Sequence, residues 1–320
     1  MRIGVFATVY QKLSFEEMLD RVVAAGVTAV EIGSGGLVGR PHCPVDELLE
    51  SQDKRKAYRH AVASRGLIIS ALSCHGNPVH PNKDMAHGFD ADIRKSVRLA
   101  QLLEVPVVIT FSGCPGGSPQ DTISNWITCP WPPEFTQALK YQWEEVTIPY
   151  WVEMNKFAEA HGVKLALEMH PGMLVYNVET MLRLHRAAGK AIGCNFDPSH
   201  LLWNGAEPVA AIRALGGVIY HVHGKDVYVD PLNVAVNGCN DNKPYARLAE
   251  RSWSFRTIGY GHDTKVWKDI MSALRTVGYD YVVSIEHEDM MMSGDEGLRK
   301  GIAALKEAAI FEPVGEMWWD

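Results

Sequence analysis

The sequence predicts an α/β protein folded as a (β/α)8 TIM barrel. Eight short, β-branched and almost uninterrupted apolar runs alternate with longer amphipathic stretches. Such runs suit parallel strands covered on both faces. Most of the helical stretches stop at a glycine a few residues before the next strand, the usual way a helix ends and hands over. The turn after the first run, Ala7-Thr8-Val9-Tyr10, is not the glycine-rich phosphate cradle that a doubly wound sheet usually carries there. The 320 residues, 47% of them hydrophobic, suffice for one barrel. The expected organisation is one domain over residues 1–320.

Ile3–Val9 reads as the first strand. Ser14-Phe15-Glu16-Glu17 is a capping box. It opens a helix whose apolar face holds Met18, Leu19, Val22 and Val23, stopped by Gly26. Ala29–Gly33 is the second strand. Ala57–Arg65, closed by Gly66, leads into the third, Ile68–Cys74, and Ala91–Leu103 leads into the fourth, Val107–Ser112. Trp151–Ala160 with Gly162 precedes Lys164–His170, and Val178–Ala188 with Gly189 precedes Ile192–Asp197. Pro208 suits the first turn of a helix over Val209–Leu215, which Gly216 separates from Ile219–His223. Val266–Val277 with Gly278 precedes the eighth strand, Tyr281–Glu288, and Asp295-Glu296 opens a last helix running to about Ala309. Two long loops, 113–140 and 227–262, follow the fourth and seventh strands. They therefore fall on the C-terminal face, where barrels place active sites. Met317-Trp318-Trp319-Asp320 is apolar for a free tail and is expected to dock on the barrel or on a partner chain.

The formal charge is −7 and the pI about 6.0. That balance argues against nucleic-acid and anionic-membrane binding. No apolar run is long enough to span a bilayer, and the N-terminus has no secretory pattern. The six cysteines include no C-x-x-C pair and read as reduced thiols. The expected location is cytoplasmic.

Polar residues gather at four consecutive strand ends: Glu168-Met169-His170, Asp197-Pro198-Ser199-His200, His221-Val222-His223-Gly224-Lys225-Asp226 and Ser284-Ile285-Glu286-His287-Glu288. A buried carboxylate in an apolar strand is costly unless paired or bound to metal. Glu168, Asp197 and His223 recur at intervals of about one strand–helix unit, with Glu286 one unit plus a long loop further on. All four would project into one mouth. Three carboxylates and an imidazole suit one divalent ion, Mn²⁺ first, with Zn²⁺, Co²⁺ or Mg²⁺ as alternatives. Strand alternation puts Ser284, Glu286 and Glu288 on one face and turns His287 toward the helices, which makes Glu286 the first choice of ligand from this strand and Glu288 the alternative. His170, two residues beyond Glu168, is a candidate catalytic base. Lys225 could polarise a carbonyl, bind an acidic group or pair with Asp226. Trp126 could stack on a sugar face. Lys225, Asp226, Trp126 and Arg256 are taken as substrate-binding candidates.

This set of motifs resembles the xylose-isomerase-like TIM barrels over about residues 3–310. That superfamily includes sugar-phosphate isomerases and epimerases, ketose 3-epimerases, inosose dehydratases and apurinic-site endonucleases. The resemblance implies that Glu168, Asp197, His223 and Glu286 are metal ligands, that Glu168 and Glu286 also exchange the substrate proton, that His75 lines the substrate pocket, and that His200 contacts substrate or a second metal. The three-zinc endonuclease pattern is missing: no His follows the fourth strand, and Gly261-His262-Asp263 replaces the late Asp-x-His. Ketose epimerases carry an Arg where Lys225-Asp226 stands. The expected activity is isomerisation or epimerisation of a keto-sugar or related polyol ketone, by α-proton abstraction through a metal-stabilised enediolate. Two alternatives stand beside it. One is a metal-dependent lyase, a deglycosidase of 3-keto-glycosides including C-glycosides, working with a small partner subunit. The other is a non-catalytic barrel subunit. The expected assembly is a homo-oligomer, or a hetero-oligomer with that small subunit.

Overall fold

Strands whose alternate residues are all apolar on the outer side must be covered by helices, and here they close on themselves first. The protein is described by a computed structural model covering residues 1–313 and 315–319. Its strands are β1 (Arg2–Phe6), β2 (Ala29–Gly33), β3 (Ile68–Ser73), β4 (Val107–Phe111), β5 (Lys164–Glu168), β6 (Ile192–Phe196), β7 (Ile219–Gly224), β8 (Asp226–Val229), β9 (Trp253–Arg256) and β10 (Val282–Ile285). Eight of them form a closed parallel barrel in the order β1-β10-β7-β6-β5-β4-β3-β2. Gly4 of β1 lies opposite Ser284 of β10, which completes the ring.

The helices are α1 (Phe15–Ala24), α2 (Val45–Glu50), α3 (Gln52–Ala63), α4 (Lys83–Leu103), α5 (Pro133–Lys140), α6 (Ile148–Ala160), α7 (Val178–Ala188), α8 (Pro198–Trp203), α9 (Pro208–Leu215), α10 (Pro231–Asn237), α11 (Thr264–Thr276) and α12 (Gly294–Ala308). Outward strand residues such as Val5, Ile32, Val108, Leu165, Ile192 and Val283 share one core with helix residues such as Leu19, Val97, Met154, Met181, Met271 and Ile302. Fully burying each such side chain is worth about 1.5–3 kcal/mol. The inward residues Ala71, Val107, Ile109 and Ala166 form a separate small cluster inside the barrel. Above it the lining turns polar.

The boundaries differ from the sequence reading where polar local bonds decide. After Phe6 the chain leaves the sheet for a 3₁₀ turn, Ala7–Tyr10, so β1 is shorter than expected. His170 and Glu286–Glu288 likewise lie beyond their strands. α4 begins at Lys83 because the Asn82 side chain accepts from the Asp84 and Met85 N–H groups. The Ser14–Glu17 capping box forms as expected, with both reciprocal bonds present. The two long segments are not featureless. One contains α5, continuing through a π-helical stretch, Tyr141–Thr147, into α6. The other contains α10 and the antiparallel β8–β9 pair, in which Val227 faces Phe255. Lys225 alone separates β7 from β8.

Among the described residues of the tail, Met317, Trp318 and Trp319 are 55%, 89% and 64% exposed, with the two indole rings edge to face; Asp320 falls outside the described residues. The thiols of Cys43, Cys74, Cys114 and Cys194 are buried, and Cys129 is exposed. Among the described residues no helix is long and apolar enough to cross a membrane.

Candidate metal centre

Glu168 ends β5, Asp197 follows β6 and caps α8, His223 sits in β7, and Glu286 follows β10. One ligand atom from each lies within 4.8 Å of the others. His223 Nδ1 is 3.2 Å from Glu168 Oε2 and 3.3 Å from Glu286 Oε2. The Asp197 Oδ1 oxygen accepts from the Ser199 N–H at 2.8 Å, which commits it to the helix cap. Asp197 Oδ2 and His223 Nδ1 are buried and have no hydrogen-bond partner. Buried polar atoms are normally satisfied, because desolvation is otherwise uncompensated. Two such orphans facing two further carboxylates fit a divalent ion of the oxygen- and imidazole-preferring kind.

Further polar groups hold this set in place. Glu31, in the middle of β2 and fully buried, accepts from His223 Nε2 at 3.0 and 3.2 Å and from Ser73 Oγ at 2.5 Å. That bond puts the proton on Nε2 and turns Nδ1 toward the cluster. Carboxylates behind ligating histidines commonly act this way. Glu168 is held by Asn195 Nδ2 at 3.0 Å, His75 Nε2 at 3.2 Å and His200 Nε2 at 3.2 Å. Burial works to raise its pKa, but the neighbouring His200, His223 and His75 imidazoles prevail and hold the carboxyl well below the usual range. Burial likewise opposes charge on His223, and the Glu31 and Glu286 carboxylates override it, raising the imidazole well above its ordinary value, so a cation entering here would displace the Nδ1 proton.

Lys225 is buried with its Nζ 2.6 Å from Glu286, 3.0 Å from Glu288 and 3.1 Å from Asp197. The Asp197 contact is ionic without hydrogen-bond alignment, so Oδ2 stays an orphan. Burial disfavours the ammonium, yet Asp197, Glu286 and Glu288 raise its pKa well above normal. It is a fixed cation at the edge of the cluster.

His170 is half-buried, its ring 4.3 Å from that of His200 and 4.7 Å from that of Phe111. Its Nδ1 donates to the Pro171 carbonyl at 2.6 Å, leaving Nε2 as the acceptor nitrogen. Burial and the neighbouring His200 push its pKa down to about 3, so it is neutral near pH 7. Trp126, His170 and His200 line one wall of a cavity of about 460 Å³ beside the cluster. His287 packs against Gly297 of α12, as alternation requires.

Two sequence-predicted residues are elsewhere. Asp226 is turned away from the cluster. Its carboxylate accepts from the Gly259, Gly261 and His262 N–H groups at 2.9–3.2 Å and from His262 Nδ1 at 2.9 Å. It anchors the loop before α11, being one residue out of phase with Lys225. Arg256 pairs with Asp289 at 3.2 Å instead of entering the cavity. Conversely, Glu31, Ser73 and Asn195 were not read from the sequence. The available signal was a lone Glu inside the apolar run Ala29-Val30-Glu31-Ile32-Gly33.

The sequence profile of the xylose isomerase-like TIM barrel family matches residues 19–308. The uncharacterised protein YfiH of Bacillus subtilis (strain 168) is 44% identical over 299 residues, covering 92% of this chain and 95% of its own. Among solved structures, 3-keto-D-glucoside 4-epimerase YcjR from E. coli superposes with a TM-score of 0.66 at 12% identity, over 96% of this chain and 99% of its own. D-psicose 3-epimerase superposes with a TM-score of 0.59 at 14% identity, over 96% and 99% of the two chains. At these identities the structural matches speak to fold.

Proposed function

The chain belongs to the xylose isomerase-like TIM-barrel family, and on that premise we propose that it is a divalent-metal-dependent isomerase or epimerase of a keto-sugar or related polyol ketone. The observation that carries this reading is the convergence of Glu168, Asp197, Glu286 and His223 around two orphaned buried atoms. The epimerases named above act on ketoses and keto-glucosides, which favours the same substrate class here.

Glu168, Asp197, His223 and Glu286 would hold the ion, Mn²⁺ first and Zn²⁺, Co²⁺ or Mg²⁺ after it. Bound there, a divalent ion polarises a carbonyl and stabilises the negative charge that grows as the α-proton leaves. The protein's own groups then divide the proton work. Glu168 and Glu286 come from strands separated by β6 and β7 around the ring, so they reach the substrate from different sides. One carboxylate takes the α-proton to give an enediolate, and the other, once it has drawn a proton from solvent water, delivers that proton to the carbon, while the first releases its proton to solvent. Lys225 keeps Glu286 ionised before the transfer and donates toward substrate oxygen. Neutral His170 offers Nε2 to a hydroxyl at the cavity wall.

Metal titration of the stripped protein, followed by NMR in D₂O with a panel of keto-sugars, tests the reading. We expect one divalent ion per chain and metal-dependent uptake of solvent deuterium at the carbon next to the carbonyl. Stoichiometric metal with no deuterium uptake across the panel, or no metal binding at all, defeats it.

A further inference from the structure

The barrel has a second mouth, at the end of the strands remote from the metal cluster. There Val107 opens β4, Lys164 opens β5, Ile219 opens β7 and Tyr281 lies just before β10. The rings of Tyr220 and Tyr281 plug this mouth, Tyr220 packing beneath the inner cluster of Ala71, Val107, Ile109 and Ala166. Their hydroxyls are committed, Tyr220 donating to the Lys190 carbonyl at 2.6 Å and Tyr281 to the Ser70 carbonyl at 2.9 Å. The rings floor a depression of about 580 Å³, walled by Pro106, Val277 and Gly217. An apolar hollow on an outer face marks a contact surface.

Beside it the chain carries an apolar arm. Asp280 on the rim pairs with Arg275 at 2.6 Å, and Arg275 also donates to the Glu312 carbonyl. The arm is therefore rooted at the rim. Beyond that root Met317, Trp318 and Trp319 are exposed. Trp318 lies six residues past Glu312, a reach of up to about 20 Å. Charge agrees with shape. The arm has Glu312, Glu316 and Asp320 and no Lys or Arg. On the far side of the depression the Lys164 ammonium lies 5.0 Å from the centre of the Tyr220 ring. It donates to a carbonyl, that of Lys190 at 2.9 Å, rather than to a carboxylate.

We propose that this face pairs with the same face of a second copy of the chain, each arm laying its indoles in the other copy's depression. Arm and depression share one face, so a two-fold axis seats both arms at once and leaves neither depression open. Four indoles burying about 150–250 Å² each, with the surface they cover, reach the roughly 1,200–2,000 Å² of a stable interface. The metal clusters then point outward from opposite ends of the pair, and pairing leaves both of their mouths open. None of this depends on the reading of the cluster.

Sedimentation velocity at micromolar protein should give a particle of twice the 35.5 kDa chain mass. Two variants at exposed positions each remove one half of the contact. Trp318→Ala with Trp319→Ala strips the arm. Gly217→Glu sets a carboxylate against the acidic arm, at a position where an added Cβ meets nothing within 4 Å. Each should weaken pairing by about 100-fold or more, with the circular dichroism of the folded chain unchanged. An equimolar mixture of the two variants contains one intact arm and one open depression, and should recover pairing that neither shows alone. A monomeric wild type overturns the proposal, whether its indoles stay in water or fold onto its own depression. A dimer that neither variant weakens pairs through another face, and a mixture that stays monomeric denies the exchange; either result overturns it. Assemblies that keep growing with concentration overturn the two-fold closure.

Discussion

Strands β5, β6, β7 and β10 bring Glu168, Asp197, His223 and Glu286 to the cluster, whereas β1, β2 and β3 bring Phe6, Glu31 and Ser73 to its rear. Both sets are buried apart from the partly exposed Glu286, and both come from short apolar strands. They differ in what their polar atoms face. In the first set two atoms end without partners. In the second, Glu31 is fully engaged by His223 and Ser73, while Phe6 stacks on the His223 ring at 5.8 Å. One half of the barrel presents lone pairs and the other fixes the tautomer and tilt of the residues that present them. A ligand set within a few ångströms thus depends on groups that never touch the ligand.

Three changes break or sharpen this contrast. The largest effect is expected for Glu168→Gln, which removes a ligand and a proton acceptor together. Deuterium exchange should fall by about 10²–10⁴-fold, and metal uptake, read by titration, should fail at micromolar ion. Retained exchange would remove Glu168 from the centre. Next comes Glu31→Gln, which leaves every ligand in place. Metal affinity should weaken by about 10–100-fold, with the Co²⁺ visible spectrum altered and the thermal midpoint of the metal-free protein lowered, because buried His223 loses its counter-charge. If Glu31→Gln costs as much as Glu168→Gln, or nothing at all, the distinction between the halves is void.

The smallest effect concerns a support inside the ligand-bearing half. The hydrogen bond to Asp226, offset in part by burial and helped by its charge, raises the His262 pKa. A raised folded-state pKa means stabilisation fully present below the unfolded value of about 6.5 and lost as pH rises through the higher folded value. The group is partly exposed, so screening limits it to about 0.5–1 kcal/mol. Urea midpoints should show wild type ahead of His262→Gln near pH 6, with the gap narrowing by about pH 8. A gap that widens with pH contradicts the assignment.

The same contrast explains what could be read from sequence. The ring of eight strands was legible because each is an apolar run bounded by glycine or polar residues, and Ala29–Gly33 is found where expected. The convergence of Glu168, Asp197, His223 and Glu286 was legible because charged residues at the ends of apolar strands have few structural excuses. Glu31 was not, since a single acid within five residues resembles an exposed position of an edge strand. Asp226 was read as part of the run His221-Val222-His223-Gly224-Lys225-Asp226, although period-two alternation sends it to the opposite face from Lys225. The segment 227–262 looked irregular because β8 and β9 are four residues each. Their pairing is tertiary and leaves little local periodicity.

The single residue between β7 and β8 has a mechanical consequence. Lys225 is the pivot from which the β8–β9 ribbon hangs, and its ammonium lies 4.7 Å from the centre of the Phe255 ring on that ribbon. The Asp226 carboxylate clamps the next joint. Any tilt of the ribbon is therefore transmitted, through one peptide unit, to the charge that touches Glu286.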